Sequence, residues 1–283
     1  GRFVTALTLS GALCRMPSGI ITLLTDFGLE DPYVGIMKGI ILGLNPEAVI
    51  VDLTHQIKRG DVAQAAHVLQ QSCSFFPKGA IHVAVVDPGV GTSRRPMTVK
   101  SGGQFFVGPD NGLFWPIIMA DSEAQIIHLA NETFFLAKIS HTFHGRDIFA
   151  PVAAHLSMGT DPLKMGNLMG NPVSIPDNRP TWEGDTLLGR ITGVDHFGNV
   201  ITNIHREDLV AFLGNSQMVI RVKEERIKGV LKTYADGANG ELFSLLGSTD
   251  HLEIAVNSGR ADRLLNIDGK RSLPVVAVDR VEP

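Results

Sequence analysis

The sequence is poor in cysteine and carries no excess of basic residues. Its 283 residues include two cysteines, Cys14 and Cys73, too few for the disulfide framework of a small secreted protein. The formal net charge is −4, and the lysines and arginines are scattered, which argues against a nucleic-acid partner. Because free thiols are typical of reducing compartments, we expect a cytoplasmic protein.

Long hydrophobic runs, internal repeats and cofactor fingerprints are also missing from the sequence. No apolar run reaches the roughly 20 residues that a membrane-spanning helix needs. The apolar stretch Phe3 to Leu13 after Arg2 resembles a short secretory leader but lacks an Ala-x-Ala cleavage pattern. Since Met16 is a plausible natural start, we expect residues 1–18 to be an extension from cloning or gene annotation, with an export signal as the alternative. We expect no metal, flavin or nicotinamide cofactor.

The body of the chain shows two kinds of periodicity. In residues 19–165, apolar runs alternate with helical patterns such as Tyr33 to Leu44 and Asp61 to Ser74. This alternation predicts an α/β domain with a largely parallel sheet. Asp61 is a candidate helix N-cap, and a helix from Gly145 to Ser157 would contain an awkward proline, Pro151.

A stretch dense in glycine, proline and asparagine follows and predicts an interdomain linker over residues 166–182. Beyond it, residues 183–283 contain short strand patterns at close spacing, separated by turn residues. The second domain is therefore expected to be a small all-β barrel or sandwich.

The most distinctive segment is VDPGVGTSRR at residues 86–95, directly after the apolar run Ile81 to Val85. A strand that ends in a carboxylate, followed by a glycine turn, places that carboxylate at the mouth of a crevice. Asp87 is therefore a candidate for chemistry. Asp-Pro-Gly is also common in ordinary turns, and that alternative stays open on the residues alone.

Two further polar clusters lie beside glycines, at residues 142–147 and 195–199. His144 in the first is either a buried structural histidine or a functional group. His141 and His144 are spaced so that both could bind one metal, but no third ligand stands nearby, so a metal site is not expected. The Asp195 loop also fits a hairpin turn. Three such loops together suggest one assembled site.

Four ordered motifs carry a resemblance to a known family. The chain from Ile20 to about Val256 resembles the S-adenosylmethionine hydroxide adenosyltransferases, which are related to the fluorinases and chlorinases. The matching segments are ITLLTDFG at residues 21–28, Asp87 to Arg94, Thr142 to Asp147 and Asp195 to Asn203. The resemblance implies hydrolysis of S-adenosylmethionine to adenosine and methionine, and a homotrimer with the substrate between neighbouring subunits.

The resemblance also implies roles for individual residues. Asp87, Arg94 and His144 match the triad of the hydroxide-adding branch, and His144 has the most suitable intrinsic pKa for a base, which Asp87 could raise. The proton acceptor itself stays open. Asp26 corresponds to the carboxylate that takes the ribose diol. The remaining substrate-binding candidates are Asp31, Asn178, Asp195, Phe197, Asn199, Tyr234 and Ser248.

Two departures separate the chain from the halogenating relatives. Asp87 stands where that branch has a tyrosine, and a carboxylate beside a halide site would expel the anion. Thr249 stands where fluorinase has an arginine at the methionine carboxylate, so recognition of that group stays open. The alternatives to hydrolysis are a halogenase that forms a 5'-halo-5'-deoxyadenosine and a non-catalytic sensor of the same ligand.

Overall fold

The structure is a computed structural model that describes residues 18–176, 179–267 and 274–281. It divides into two compact units, residues 1–175 and residues 176–283. Cys14, Met16 and all of the expected leader over residues 1–18 except Ser18 lie outside the described residues.

In the first unit, strands and helices alternate. The described elements are β1 (Ile20–Thr25), α1 (Tyr33–Leu44), β2 (Val49–Thr54), α2 (Val62–Cys73), β3 (Ile81–Val85), β4 (Pro96–Ser101), β5 (Gln104–Pro109), α3 (Trp115–Met119), β6 (Gln125–Leu129), a π turn (Gly145–Phe149), α4 (Ala150–Ser157) and β7 (Gly166–Leu168), with 3-10 turns at Glu132–Phe134 and Pro162–Lys164.

The strands form one sheet in the order β2-β1-β3-β5-β4-β6-β7. The pairs β1–β2, β1–β3 and β3–β5 are parallel, whereas β4 is antiparallel to both of its neighbours and β7 is antiparallel to β6. Five of the seven strands therefore run in the same direction, and the expected α/β fold with a largely parallel sheet is confirmed.

Apolar cores cover both faces of this sheet. On one face, α1 and α4 pack on β1 and β3 through side chains such as Met37, Ile41 and Val83. On the other face, α2 contributes Ala65 and Leu69 to a second core. Strands β2 and β3 lie on opposite sides of β1. The direction in which successive strands are added to the sheet therefore reverses between β1 and β3. Open α/β sheets bind ligands at the carboxyl ends of strands at such a point.

Helix α2 begins as its sequence predicts. The Asp61 side chain accepts a hydrogen bond from the backbone N–H of Gln64 at 2.9 Å, which is the geometry of an N-cap. Helix α1 covers Tyr33–Leu44, the whole of the predicted segment.

The segment predicted as one helix from Gly145 to Ser157 starts instead with a π turn, in which the N–H of Ala150 bonds to the carbonyl of Gly145. Pro151 then falls in the first turn of α4, where its missing N–H is not needed. The Asp147 carbonyl accepts the N–H of Leu136 at 2.9 Å instead of a helical partner. The π turn therefore removes the conflict that the proline posed.

The second unit is built almost entirely of antiparallel strands. Its described elements are β8 (Thr181–Glu183), β9 (Thr186–Val194), β10 (Val200–His205), α5 (Arg206–Leu213), β11 (Gln217–Val222), β12 (Glu225–Lys228), a 3-10 turn (Tyr234–Asp236), β13 (Leu242–Leu246), β14 (His251–Val256), α6 (Ala261–Leu264) and β15 (Val275–Val281).

These strands form a sheet that nearly closes on itself. The path is β12-β11-β15-β9-β10-β14-β13, and β8 pairs with β9. At its two ends, the N–H of Leu231, just after β12, donates to the carbonyl of Ser244 on β13 at 2.8 Å. Leu187, Ile204, Phe212 and Val278 are among the side chains of the enclosed core. The expected small all-β domain is confirmed as a barrel.

The predicted linker over residues 166–182 is more structured than its composition indicates. Gly166–Leu168 is the last strand of the first sheet, paired with β6, and Thr181–Glu183 is paired with β9. A Cβ at Gly166 would lie 1.7 Å from the carbonyl oxygen of His128, so glycine is needed there for a strand pairing.

The sequence predicted no transmembrane segment. Among the described residues, no helix has the length and apolar character to span a bilayer, and α1 and α2 have only 12 residues each.

The N-cap of α2 gives a test of the first unit. We expect Asp61→Ala to lower the free energy of unfolding by about 1 kcal/mol, because the N–H of Gln64 loses its acceptor. Asp61→Asn keeps an acceptor of the same size and should change stability by only a few tenths of a kcal/mol. Urea unfolding followed by circular dichroism compares the two, and equal losses in both would contradict the cap.

Candidate active site

Three loops meet at the carboxyl edge of the first sheet. Asp26 follows β1, Asp87 follows β3, and His144 precedes the π turn. All three side chains line one cavity of about 450 Å³, together with Phe27, Arg59, Gly60, Val85, Pro88, Val90, Thr142, Phe143 and Gly145. The volume is typical of a small-molecule site, and its position is the one that the strand order predicts.

Asp87 and Arg94 form a buried ion pair at this cavity. The Arg94 Nε lies 3.0 Å from each carboxylate oxygen of Asp87, and Nη2 also contacts Oδ2. The side chains are only 5% and 9% exposed, respectively. A guanidinium held on a carboxylate in this way has a fixed orientation, so Arg94 presents its remaining donors in defined directions.

One of these donors reaches His144. The Arg94 Nη2 lies 2.9 Å from His144 Nδ1. A guanidinium can only donate, so Nδ1 must accept and the imidazole must carry its proton on Nε2. Burial and the positive charge of Arg94 lower the pKa of His144, against the opposing effects of Asp87 and Asp147. The sequence suggested that Asp87 could raise this pKa, and it does act in that direction, but the net shift is downward.

A glycine allows the two loops to meet. Gly91, in the turn between Asp87 and Arg94, has a φ of +76°, and a Cβ there would lie 2.2 Å from the carbonyl oxygen of His141. Any other residue would push the turn away from the His144 loop and break the contact with Arg94.

Asp147 fixes the His144 loop from the other side. It is fully buried, accepts the N–H of Ser140 at 2.8 Å and accepts Nε of Arg146 at 2.6 Å. Burial alone would raise the pKa of Asp147, but the bonds from Arg146 and Ser140 hold it below its usual range. Asp147 is therefore an anionic anchor for the loop.

Asp26 faces the same cavity from β1. Its Oδ2 accepts the N–H of Gly60 at 2.8 Å, which ties the loops after β1 and β2 together. Sequence reasoning missed Arg59, whose cationic side chain also lines the cavity. It follows the β2 strand pattern by a few residues, and it reaches the cavity because β2 lies beside β1, which the sequence does not show.

Asp31 is placed differently from the other candidates of the first unit. It is exposed in the turn before α1 and is not among the residues that line the cavity. A second cavity of about 420 Å³ lies nearby, lined by Phe27, Tyr33, Ser140, Thr142, Phe143 and Arg146. The two cavities share Phe27, Thr142 and Phe143, so they adjoin.

The candidates of the second unit form a cluster of their own. Asp195 accepts both the backbone N–H and the side-chain amide of Asn199 at 2.8 Å. The Asp195 loop is therefore a hairpin turn between β9 and β10, and the bonds that close it also orient the Asn199 amide. Asn199 is nearly buried, at 7% exposure.

Tyr234 lies in the same cluster, bonded to a residue that sequence reasoning missed. Its hydroxyl donates to Glu253 Oε2 at 3.0 Å. Burial and the charges of Glu253 and Asp195 raise the pKa of Tyr234 to about 12. Burial, together with Asp195, raises the pKa of Glu253 above its usual range. The signal in the sequence was an acidic residue between the apolar residues Leu252 and Ile254 of β14.

The other candidates are less enclosed. Phe197 is 73% exposed. Ser248 is exposed in the turn between β13 and β14, and the Thr249 carbonyl lies 2.9 Å from Nδ1 of His251. Asn178 lies outside the described residues.

A metal centre was not expected from His141 and His144. In the part of the chain that the structure describes, no group of three or more His, Cys, Asp or Glu side chains is arranged to hold a metal ion.

Comparison with known proteins decides the family. Residues 21–166 match the model of the SAM hydroxide adenosyltransferase N-terminal domain, and residues 189–273 match that of the C-terminal domain. The chain belongs to the SAM hydroxide adenosyltransferase family. The family resemblance in the sequence is therefore confirmed.

Members of known name are similar over nearly their whole length. The (R)-S-adenosyl-L-methionine hydrolase of Salinispora tropica is 39% identical, over 92% of this chain and 99% of the relative. The enzyme of the same name from Methanocaldococcus jannaschii is 36% identical, over 88% and 92%. The fluorinase of Actinoplanes sp. is less similar, at 27% identity over 84% and 91%.

Solved structures share the fold of this chain. An uncharacterized conserved protein from Thermotoga maritima has a TM-score of 0.84 and 36% sequence identity, covering 92% of this chain and all of the other. A conserved hypothetical protein from Thermus thermophilus has a TM-score of 0.71 and 34% identity, with 94% of this chain covered.

The Arg94–His144 contact makes a prediction about protonation. In nitrogen-15 NMR of the histidines, we expect His144 to be neutral at pH 7 with its proton on Nε2, and to titrate below the ordinary value of about 6.5. Removing the guanidinium in Arg94→Met should raise the pKa of His144. Arg95→Met is the matched control, since Arg95 pairs with Asp110 instead. A proton on Nδ1 at pH 7 would contradict the contact.

Proposed function

We propose that the protein hydrolyses S-adenosylmethionine to adenosine and L-methionine, with water as the nucleophile at the ribose C5'. The observation that carries this proposal is the Asp87–Arg94–His144 cluster at the edge of a cavity of substrate size. The names of the hydrolase relatives support it, since they cover most of this chain at 36–39% identity.

Because the substrate is a sulfonium cation, the leaving group departs as a neutral molecule. The oxygen of water forms a bond to C5' while the C5'–S bond breaks and its electron pair goes to sulfur. The leaving group is the neutral thioether of methionine, so no acid has to protonate it. The new oxonium must lose one proton to a base, and the site must align water with the C–S bond. We propose that this chemistry requires no cofactor.

The geometry favours Asp87 as the proton acceptor. His144 Nδ1 already accepts from Arg94, and its Nε2 carries the imidazole proton, so neutral His144 cannot take a further proton without breaking that contact. The Asp87 carboxylate borders the cavity and keeps lone pairs beyond those used by Arg94. A carboxylate is a weak base, but a protonated alcohol is a strong acid, so the transfer is downhill.

The acids around the site suit a cationic substrate. We propose that Asp26 accepts the ribose diol, and that Asp31 and Asp195 face the ammonium of the methionine part. Asn199 reads the adenine edge and Tyr234 packs on it, with Ser248 at the methionine carboxylate. Phe197 and Asn178 complete the proposed substrate-binding set.

We test the reaction with oxygen-18 water and purified protein, with and without chloride. We expect oxygen-18 in the 5'-hydroxyl of adenosine. Arg94→Lys should lower kcat by about 10²-fold or more, because an ammonium cannot hold Asp87 and His144 together. Arg95→Lys, at the neighbouring pair with Asp110, is the control.

Two results would replace this proposal. A chloride-dependent 5'-chloro-5'-deoxyadenosine would make the protein a halogenase, which the negative charge of Asp87 disfavours. Tight binding of S-adenosylmethionine without any product would make it a sensor.

We also propose a homotrimer in which the first unit of one subunit and the second unit of its neighbour share each substrate. The cavity with Asp87 is lined by residues of the first unit, whereas Asp195, Asn199 and Tyr234 belong to the second. Helix α1 also exposes apolar side chains at Tyr33 and Ile36, beside an exposed row of glycines at positions 35, 39 and 43. Exposed apolar faces of this kind mark association surfaces.

Shared sites predict complementation between two inactive variants. Asp87→Asn disables the first unit and Asn199→Ala the second, so each homotrimer should be inactive. When the two variants are coexpressed at equal levels, about a quarter of wild-type activity should return. About a quarter of the sites then combine an intact first unit from Asn199→Ala with an intact second unit from Asp87→Asn. Sedimentation analysis checks the trimer. Mixed oligomers without any activity would show that each site lies within one subunit.

We place the protein in the cytoplasm. The free thiol of Cys73 is consistent with a reducing compartment, and burial raises the pKa of that thiol, which keeps it unreactive. No nucleic acid or membrane partner is proposed.

A further inference from the structure

Strand β1 carries two buried threonines, each bonded to a buried histidine. The Thr22 Oγ1 lies 2.8 Å from His82 Nδ1, and the Thr25 Oγ1 lies 2.8 Å from His55 Nδ1. Both threonines are fully buried, and the histidines are 0% and 3% exposed. The pairs are chemically alike but differ in place, since Thr25 is the last residue of β1 and directly precedes Asp26.

His55 holds the loop after β1 at two points. Its side chain bonds to Thr25, whose Oγ1 also accepts the backbone N–H of Phe27 at 3.2 Å. Its backbone carbonyl accepts the N–H of Gly28 at 2.9 Å. One residue of the loop after β2 therefore fixes the backbone on both sides of Asp26 and Phe27.

The other ring nitrogen of His55 is buried beside a carboxylate, at a geometry that does not make a hydrogen bond. This atom, Nε2, lies 3.1 Å from Asp52 Oδ1, and the other Asp52 oxygen accepts Lys38 Nζ at 2.6 Å. Burial would raise the pKa of Asp52, but Lys38 and His55 hold it below its usual range. Asp52 therefore stays anionic, and the ring of His55 lies between a carboxylate and a threonine hydroxyl.

The loop that His55 fixes decides where the Asp26 carboxylate points. One oxygen of Asp26 accepts the N–H of Gly60, and the side chain lines the cavity. A ribose diol needs both hydroxyl groups to reach a carboxylate in one orientation, and a displacement of about 1 Å at such a group can cost up to 10²-fold in rate.

We propose that His55 is a positioning residue for ribose recognition: through Thr25 it holds residues 25–28 so that Asp26 meets the 2'- and 3'-hydroxyls. This inference rests on the proposed function, in which Asp26 takes the ribose diol. His55 lines neither cavity and acts only through the loop.

The Thr22–His82 pair supplies a matched control. It joins β1 to β3 in the body of the sheet, where His82 stacks on Phe106 at 5.0 Å between ring centroids. Thr22→Val and Thr25→Val each remove one buried hydroxyl from the same strand without changing the shape. Both substitutions should lower the free energy of unfolding, but only Thr25→Val should change the orientation of the Asp26 carboxylate.

The experiment compares the affinities for adenosine and 2',3'-dideoxyadenosine by calorimetry, with amide exchange at Phe27 as a second readout. In Thr25→Val and His55→Leu, we expect the preference for adenosine to fall about tenfold and exchange at Phe27 to accelerate. His55→Asn places an acceptor near the position of Nδ1 and should restore most of the preference. In Thr22→Val the preference should match that of the wild type.

The outcomes separate this inference from the proposed function. An unchanged preference in Thr25→Val, an equal fall in Thr22→Val, or a wild type that does not distinguish the two nucleosides would overturn the role of His55. The proposed function is judged separately, by the release of adenosine from S-adenosylmethionine by the wild type. A wild type that prefers adenosine but releases none would leave the role of His55 in place and remove the hydrolase.

Discussion

The Asp87–Arg94 ion pair is the interaction around which the first unit is arranged at its carboxyl edge. Taking a carboxylate and a guanidinium out of water is expensive, and removing one partner of such a pair costs about 3–5 kcal/mol because the other charge stays buried. Asp87 follows strand β3, and the glycine turn after it brings Arg94 back into contact with Asp87. Gly91 allows this turn to pack closely against the His144 loop. Folding and the protonation state of His144 therefore depend on the same pair.

The two units hold their acidic side chains in different ways. In the first unit, Asp87 pairs with Arg94 and Asp147 pairs with Arg146. In the second unit, Glu253 bonds to a tyrosine hydroxyl rather than to a cation. An incoming cation would stabilise the anionic form of Glu253, so a positively charged ligand and this acid favour one another.

Much of the fold could be predicted because its signals are local. The apolar runs of β1 and β3, the periodicity of α1 and the Asp61 cap each lie within a dozen residues, and all appear where the sequence places them. The sequence marked Pro151 as awkward but did not reveal the π turn, and the bond from the Leu136 N–H to the Asp147 carbonyl joins separate segments of the chain. The Thr25–His55 bond and the Tyr234–Glu253 bond were equally hidden, since they join side chains 30 and 19 residues apart. Asp87 was a candidate from its position after an apolar strand, whereas the roles of Arg94 and His144 came from the family motifs.

The π turn at Gly145–Phe149 also makes the length of this segment a constraint. It contains one residue more than an α-helical turn would need, and each residue of a helix rotates the chain by about 100°. Deleting one residue would convert the π turn into a regular α-helical turn. His144 would then rotate away from Arg94, even if every remaining side chain stayed the same. A relative with a one-residue deletion at this point is therefore expected to lack the arginine–histidine contact, even if it keeps the same residues on either side.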